Sequence, residues 1–221
     1  MKEYDGFGGE IYVVEGEHDV PSVKDKLCGH PFVGIDFEWN EGESNPPVSL
    51  VQIATTRLAV LFRIDTESPV LHPVAKSILL DEKVTKIGVG MGSSDFKKVR
   101  ETFGFAIPQE QTIDMLKEAE ERGLEKPGLQ GMCESIGYNI DKPGYLPRFY
   151  HWTAPELTRD QKLYAAGDAW FPILVAAKWG VINLDQEELA HMTSLVIKIP
   201  PLEDLGKRPS FLARLFGCMK A

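Results

Sequence analysis

Cysteine is scarce in this sequence, and the three that occur, Cys28, Cys133 and Cys218, lie far apart with no Cys-x-x-Cys pair. An odd, scattered set offers neither a disulfide framework nor the ligand spacing of a zinc knuckle or redox pair. Long apolar runs are missing as well, since no stretch of about 18 apolar residues exists to span a bilayer. The opening MKEYDGFGGE lacks the basic-then-apolar profile of a secretion signal. The expectation is a soluble intracellular protein, in cytoplasm, nucleus or both, with no membrane contact. Positive charge is in deficit: 24 Lys and Arg stand against 33 Asp and Glu, a net charge of −9. That sign disfavours a protein that grips long nucleic acid without regard to sequence. Internal repeats of the solenoid kind are not seen either.

What is present suits one compact domain: 43% of the 221 residues are apolar, enough for a single sizeable core. Clusters of β-branched and aromatic residues between polar breaks predict strands over Glu10–Val14 and Phe32–Glu38, with a short helix at Val20–Leu27. Val48–Ala54 and Leu58–Ile64 flank the turn Thr55-Thr56-Arg57, a spacing that predicts an antiparallel hairpin. The Pro-, Gly- and Ser-bearing linker Glu41–Pro47 reads as an exposed loop. Helix Val70–Leu80, strand Val84–Val89, helix Asp95–Phe103 and a short strand at Thr112–Asp114 follow, and then mainly helices to the C-terminus. A last amphipathic piece, Phe211–Met219, could dock on the domain or on a second subunit. Antiparallel strands first and alternating units afterwards predict an α/β fold, a mixed sheet covered by helices.

Three segments carry carboxylates in patterns that invite chemistry. In Val33-Gly34-Ile35-Asp36-Phe37-Glu38-Trp39, period-two geometry sends the apolar side chains to one face and Gly34, Asp36 and Glu38 to the other. Two carboxylates on one face of a central strand repel and resist desolvation unless a cation neutralises them. An edge strand with its polar face in water would show the same alternation. The second segment, Lys86 to Asp95, runs from a strand through a glycine-rich turn into a helix whose first turn holds Asp95. It is no phosphate loop, because the Gly-Lys-Ser/Thr ending is missing, and an Asp there also simply favours the helix dipole. In the third, Thr158 and Gln161 match a capping box that starts a helix, placing Tyr164 and Asp168 one turn apart on one face. Ala165, Ala166 and Gly167 between them leave room for something to approach; a Tyr–Asp hydrogen bond on a solvated face is the plain alternative.

Taken in order, Asp36-x-Glu38, Asp95 and Tyr164-x-x-x-Asp168 resemble the three motifs of the DEDDy branch of the DnaQ-like 3′–5′ exonucleases. The wording around them, including Val48-Ser49-Leu50-Val51-Gln52-Ile53 and Lys162-Leu163-Tyr164-Ala165-Ala166-Gly167-Asp168, is similar to the Werner-syndrome-type exonuclease domain and ribonuclease D. The likeness covers about residues 25–180 of a single domain over 1–221, with helices expected over 181–221. It implies a ribonuclease-H-like sheet and hydrolysis of phosphodiester bonds from the 3′ end of DNA or RNA, releasing nucleoside 5′-monophosphates. By the same resemblance, Asp36, Glu38, Asp95 and Asp168 hold two ions. Four oxygen donors without His or Cys favour Mg²⁺ or Mn²⁺ over zinc. Two such ions would bring the net charge from −9 to −5. Asp36 is assigned to bridge the ions, Glu38 and Asp168 to complete the shell on the water side, and Asp95 to hold the other ion mainly through water. Tyr164, with an ordinary pKa of about 10, is expected to orient the attacking water rather than deprotonate it. Trp39, Met91, Arg148 and Trp152 are candidates to stack on or clamp the terminal nucleotide, and Lys97, Lys98 and Arg100 to touch phosphates; for each, packing or a solvated face is the competing role. One departure stands out: Pro172 supplies no N–H to the carbonyl of Asp168, a place for the helix to kink. The alternative is a catalytically silent relative serving as an interaction or assembly module, and a second copy or a targeting partner fits either reading.

Overall fold

The structure, a computed structural model, describes residues 4–16, 20–40, 44–140 and 151–199. Arg148, part of the Glu41–Pro47 linker and the stretch Phe211–Met219 lie outside the described residues. The elements run β1 (Tyr4–Phe7), β2 (Glu10–Glu15), α1 (Val20–Leu27), β3 (Phe32–Glu38), β4 (Leu50–Ala54), β5 (Leu58–Arg63), α2 (Pro73–Leu80), β6 (Thr85–Gly88) and α3 (Ser93–Phe103). After them come β7 (Thr112–Asp114), α4 (Met115–Glu121), α5 (Leu129–Ser135), α6 (Arg159–Lys178), α7 (Gln186–Ser194) and β8 (Val196–Ile199).

Six strands form one mixed sheet in the order β2-β5-β4-β3-β6-β7. The hairpin β4–β5 is antiparallel and closes at Ala54 opposite Ala59, where Thr55 N–H donates to the Leu58 carbonyl at 2.9 Å. Strand β4 also pairs antiparallel with β3, and β3, β6 and β7 then run parallel. The expected mixed α/β sheet flanked by helices is the one observed. Strand β2 departs from the antiparallel-first reading, because it joins β5 in parallel across the intervening chain.

Strands β1 and β8 are a correction. Residues from 181 onward read as helical and the first residues as a polar lead-in, yet Tyr4–Phe7 and Val196–Ile199 pair as a separate antiparallel ribbon. Lys198 Nζ reaches Asp5 Oδ1 at 2.7 Å across it. Each strand is four residues long and its partner sits at the far end of the described chain, so no local period announces either.

The alternation of β3, β4 and β5 sorts the core into two layers. Val33, Ile35, Phe37, Val51, Ile53, Val60 and Phe62 face α1, α2 and α3. Leu50, Ala54, Ala59 and Leu61 face α6, which is buried almost throughout its C-terminal half, with α4, α5 and α7 around it. Burying a side chain such as Phe62 or Leu61 is favourable by roughly 1.5–3 kcal/mol, so this two-sided cover is what fixes the register of the central strands. Among the described residues no helix is long and apolar enough to cross a membrane.

Candidate active site

Strand β3 delivers two carboxylates to the α6 side of the sheet because its odd-numbered residues are taken by the opposite core layer. What lets α6 come close enough to meet them is Gly34. A Cβ at that position would stand 1.9 Å from the carbonyl oxygen of Ala169, a backbone atom of α6, so only glycine admits this approach. Ala165, Ala166 and Gly167 serve the same end from the helix side: all three are buried, and what approaches them is the protein's own packing. Ala169 follows Asp168 directly, so the contact at Gly34 also sets how far Asp168 stands above β3.

Helix α6 begins with the expected capping box. Thr158 Oγ1 accepts from the Gln161 N–H at 3.2 Å while Gln161 Oε1 accepts from the Thr158 N–H at 2.9 Å. The helix runs unbroken through Pro172, which lies within Arg159–Lys178. Tyr164 and Asp168 therefore keep their i, i+4 relation and face the strand together.

The outcome is a group of three half-buried carboxylates, Asp36, Glu38 and Asp168, offering oxygens that all lie within 4.8 Å of one another. Tyr164 faces the same three. Burial pushes its phenol well above the usual range, and the charges of Asp168 and Glu38, the hydrogen bond to Asp168 and the charge of Asp36 push the same way. Burial and the neighbouring charges thus favour the protonated hydroxyl. A set of hard oxygen donors, with no His or Cys among them, suits a divalent cation such as Mg²⁺ or Mn²⁺, and uncompensated carboxylates this close together repel.

Asp95 stands outside that group. It occupies the first turn of α3, where its carboxyl is raised to about 6, chiefly by burial and further by the charge of Asp114. The Ser94 hydroxyl, donating to Asp95 Oδ1 at 3.2 Å, pulls the other way. The turn that leads into α3 is built by Gly90, left-handed at φ 68°. Its N–H donates to Asp114 Oδ1 at 2.7 Å, and the same oxygen caps α4 through the Leu116 N–H at 3.0 Å. The position of Asp95 is thus tied to the end of β7.

The residues considered for nucleotide contact part company. Trp152 and Met91 are 1% and 2% exposed, so as the chain stands neither presents a face to a base, and both serve packing. Trp152 lies against Tyr164, ring centroids 6.3 Å apart, and so fixes the phenol from behind. Trp39 is half-buried with the Lys98 ammonium over its ring at 5.6 Å. Lys98 also donates to Asn45 Oδ1 at 2.9 Å and the Pro46 carbonyl at 3.0 Å, which ties α3 to the loop after β3. Lys97 pairs with Glu101 at 3.7 Å, leaving Arg100 exposed near the C-terminal end of α3. Arg148 lies outside the described residues.

Two residues of the site escaped sequence reasoning. Asn40, just past β3, accepts from the Trp152 N–H at 2.9 Å and donates to Thr153 Oγ1 at 2.9 Å, anchoring the segment that backs Tyr164. Gln52 sits directly opposite Asp36 in the β3–β4 ladder. An isolated amide in the otherwise apolar run Leu50-Val51-Gln52-Ile53-Ala54 was the one available signal for it.

A family model described as 3′–5′ exonuclease matches residues 11–179, more than half of the chain. Human exonuclease 3′–5′ domain-containing protein 2 is 32% identical over 158 residues, covering 67% of this chain and 25% of the relative. The mouse bifunctional 3′–5′ exonuclease/ATP-dependent helicase WRN is 30% identical over 169 residues, 70% of this chain and 11% of that protein. The chain therefore spans a quarter or less of these relatives. Among solved structures, Brucella melitensis NrnC bound to pGG superposes with a TM-score of 0.62 at 19% identity, covering 85% of this chain and 90% of that one. Escherichia coli RNase D does so at 0.59 and 23%, covering 84% and 48%. Likeness at that identity speaks for the shared fold.

Proposed function

The chain belongs to the 3′–5′ exonuclease family, and from that premise we propose that it hydrolyses nucleic acid from the 3′ end, releasing nucleoside 5′-monophosphates. The observation that carries this reading is the meeting of Asp36, Glu38 and Asp168, drawn from β3 and α6, within 4.8 Å beside a buried phenol. Those three would hold Mg²⁺ or Mn²⁺, with Asp95 as an outlying fourth carboxylate for a second ion. When bound, the ions would lower the pKa of water and offset the charge that gathers on the phosphoryl oxygens and the leaving 3′-oxygen.

The chain's own contribution is geometric and electrostatic. Tyr164, whose burial favours the protonated phenol, shares a hydrogen bond with the attacking water and aligns it with the phosphorus. The water oxygen bonds to phosphorus and gives up a proton to solvent, the bond from phosphorus to the 3′-oxygen breaks, and that oxygen takes a proton from solvent. Trp39, half-buried just past the end of β3, packs with the α1–α3 layer on the side of the sheet opposite Asp36 and Glu38, so base stacking beside the carboxylates does not fall to it. The net charge of −9 is consistent with a short single-stranded DNA or RNA end rather than a long duplex.

The test uses oligonucleotides labelled at the 5′ or the 3′ end, as DNA and RNA, single-stranded and recessed, with Mg²⁺, Mn²⁺ or chelator. The expected outcome is a 5′-labelled ladder and early release of 3′-labelled mononucleotide, abolished by chelator and by Asp36→Asn. A protein that binds strands without shortening them would be the silent module instead, and shortening that survives both treatments would belong to a contaminant.

A further inference from the structure

Gln52 is fully buried in β4, and among the described residues neither its Nε2 nor its Oε1 has a hydrogen-bond partner. Buried carboxamides are nearly always bonded, so an amide left unmet in the middle of a sheet calls for a reason. Its place in the ladder supplies one. Gln52 is paired with Asp36 across the antiparallel β3–β4 register, and directly opposed residues share a face with Cβ atoms roughly 4.5–5.5 Å apart. The neighbours of Gln52 on that face of β4 are Leu50 and Ala54, both apolar and fully buried, so the carboxylate centre is the polar environment its register offers.

We propose that Gln52 is a positioning residue of the carboxylate centre, its amide waiting to donate to Asp36 when a cation is bound. This rests on the reading of Asp36, Glu38 and Asp168 as a metal site. A carboxylate oxygen keeps a lone pair beyond the one it gives a cation, so Asp36 can accept from Gln52 Nε2–H even where it serves both ions, and that bond fixes the plane of the carboxylate and thereby the direction of the ligand oxygens. The partner of the amide is thus completed by the loaded site, and the folded chain without metal carries the unmet amide as a standing cost.

The inference separates from a merely structural amide by the sign of a stability change. In Gln52→Met, a side chain of similar size without the two polar atoms, the metal-free protein should melt at the same temperature as wild type or higher. The Mn²⁺ dissociation constant, measured by isothermal titration, should meanwhile rise tenfold or more, in the range of about 10–100-fold typical of groups that orient a ligand. A Gln52→Met protein that melts earlier without metal, or fails to fold, makes the amide a structural bond-former and overturns the proposal; so does an unchanged Mn²⁺ affinity. Failure of the underlying reading looks different: wild type would bind no Mn²⁺, or Asp36→Asn would bind it as tightly as wild type.

Discussion

Replacing Gly34 by alanine tests whether the approach of α6 to β3 builds the site. The new Cβ would meet the Ala169 carbonyl oxygen at 1.9 Å, and real Cβ contacts do not fall below 3.0 Å, so strand and helix must part by about 1.1 Å. Neither atom can swing aside, since Ala169 O belongs to a helix backbone buried between the sheet and α5. The displacement passes directly to Asp168, one residue away, and widens a cluster whose oxygens now lie within 4.8 Å. Overpacking of this kind costs about 1–3 kcal/mol of stability, and a misplacement near 1 Å costs about 10²-fold in rate. Urea melts and Mn²⁺-dependent release of 3′-labelled nucleotide read the two losses separately. A control exists in Gly131 on α5, where a Cβ would meet the Lys126 carbonyl at 2.0 Å but no carboxylate of the cluster is nearby in sequence. Gly131→Ala should lose comparable stability and, assayed well below its melting point, keep its rate. If Gly34→Ala retains activity within twofold, or if both variants lose activity equally, the claim that Gly34 sets the separation of Asp36 and Asp168 is wrong.

Two other residues give tests of different kinds. Tyr164→Phe should keep Mn²⁺ affinity within about twofold and lose roughly 10–100-fold in rate through poorer water alignment. Burial, the first cause that holds the phenol protonated, persists when cations offset the neighbouring carboxylates, so the variant's pH–rate profile should match wild type in shape; an alkaline limb that vanishes in the variant would mean the phenol titrates. Asp95→Asn probes the carboxyl raised from 3.8 to about 6. A folded pKa above the unfolded one means the native chain binds the extra proton, so metal-free stability climbs as pH falls from 7 through 6 toward 4. The variant escapes the cost of burying that charge and should be more stable than wild type at pH 7–8, by at most about 3 kcal/mol from the shift, with the difference gone below pH 4. Parallel stability–pH curves for the two proteins between pH 4 and 8 would refute the assignment.

The parts of the site that were legible in the sequence are those decided over a few residues. Alternation along Val33 to Trp39 places Asp36 and Glu38 on one face whatever packs on them, and the Thr158–Gln161 capping box fixes a helix phase that keeps Tyr164 above Asp168. Depth is another matter, because it depends on what arrives from elsewhere in the chain. Trp152 lies in the polar stretch His151–Glu156 and by sequence is a candidate to stack on a nucleotide, yet Asn40, 112 positions away, takes its backbone N–H and the ring is buried beside Tyr164. Met91 follows a left-handed glycine and is buried because that turn folds it against the α3 side of the sheet. Asp95 makes the point from the opposite direction: its motif position is local, but its place relative to Asp36 depends on the Gly90 turn and on the Asp114 carboxylate that holds it. The β1–β8 ribbon was hidden for the same reason, each half being too short to mark a strand without the other. Gln52 shows how far this division reaches. Its face follows from register with Asp36, but its burial follows from α6 and β5 closing over β4, and only the two together turn an unremarkable amide into a neighbour of the carboxylates. Faces of strands and phases of helices can therefore be trusted from sequence when choosing residues for chemistry, while any role that requires access to solvent has to wait for the packing.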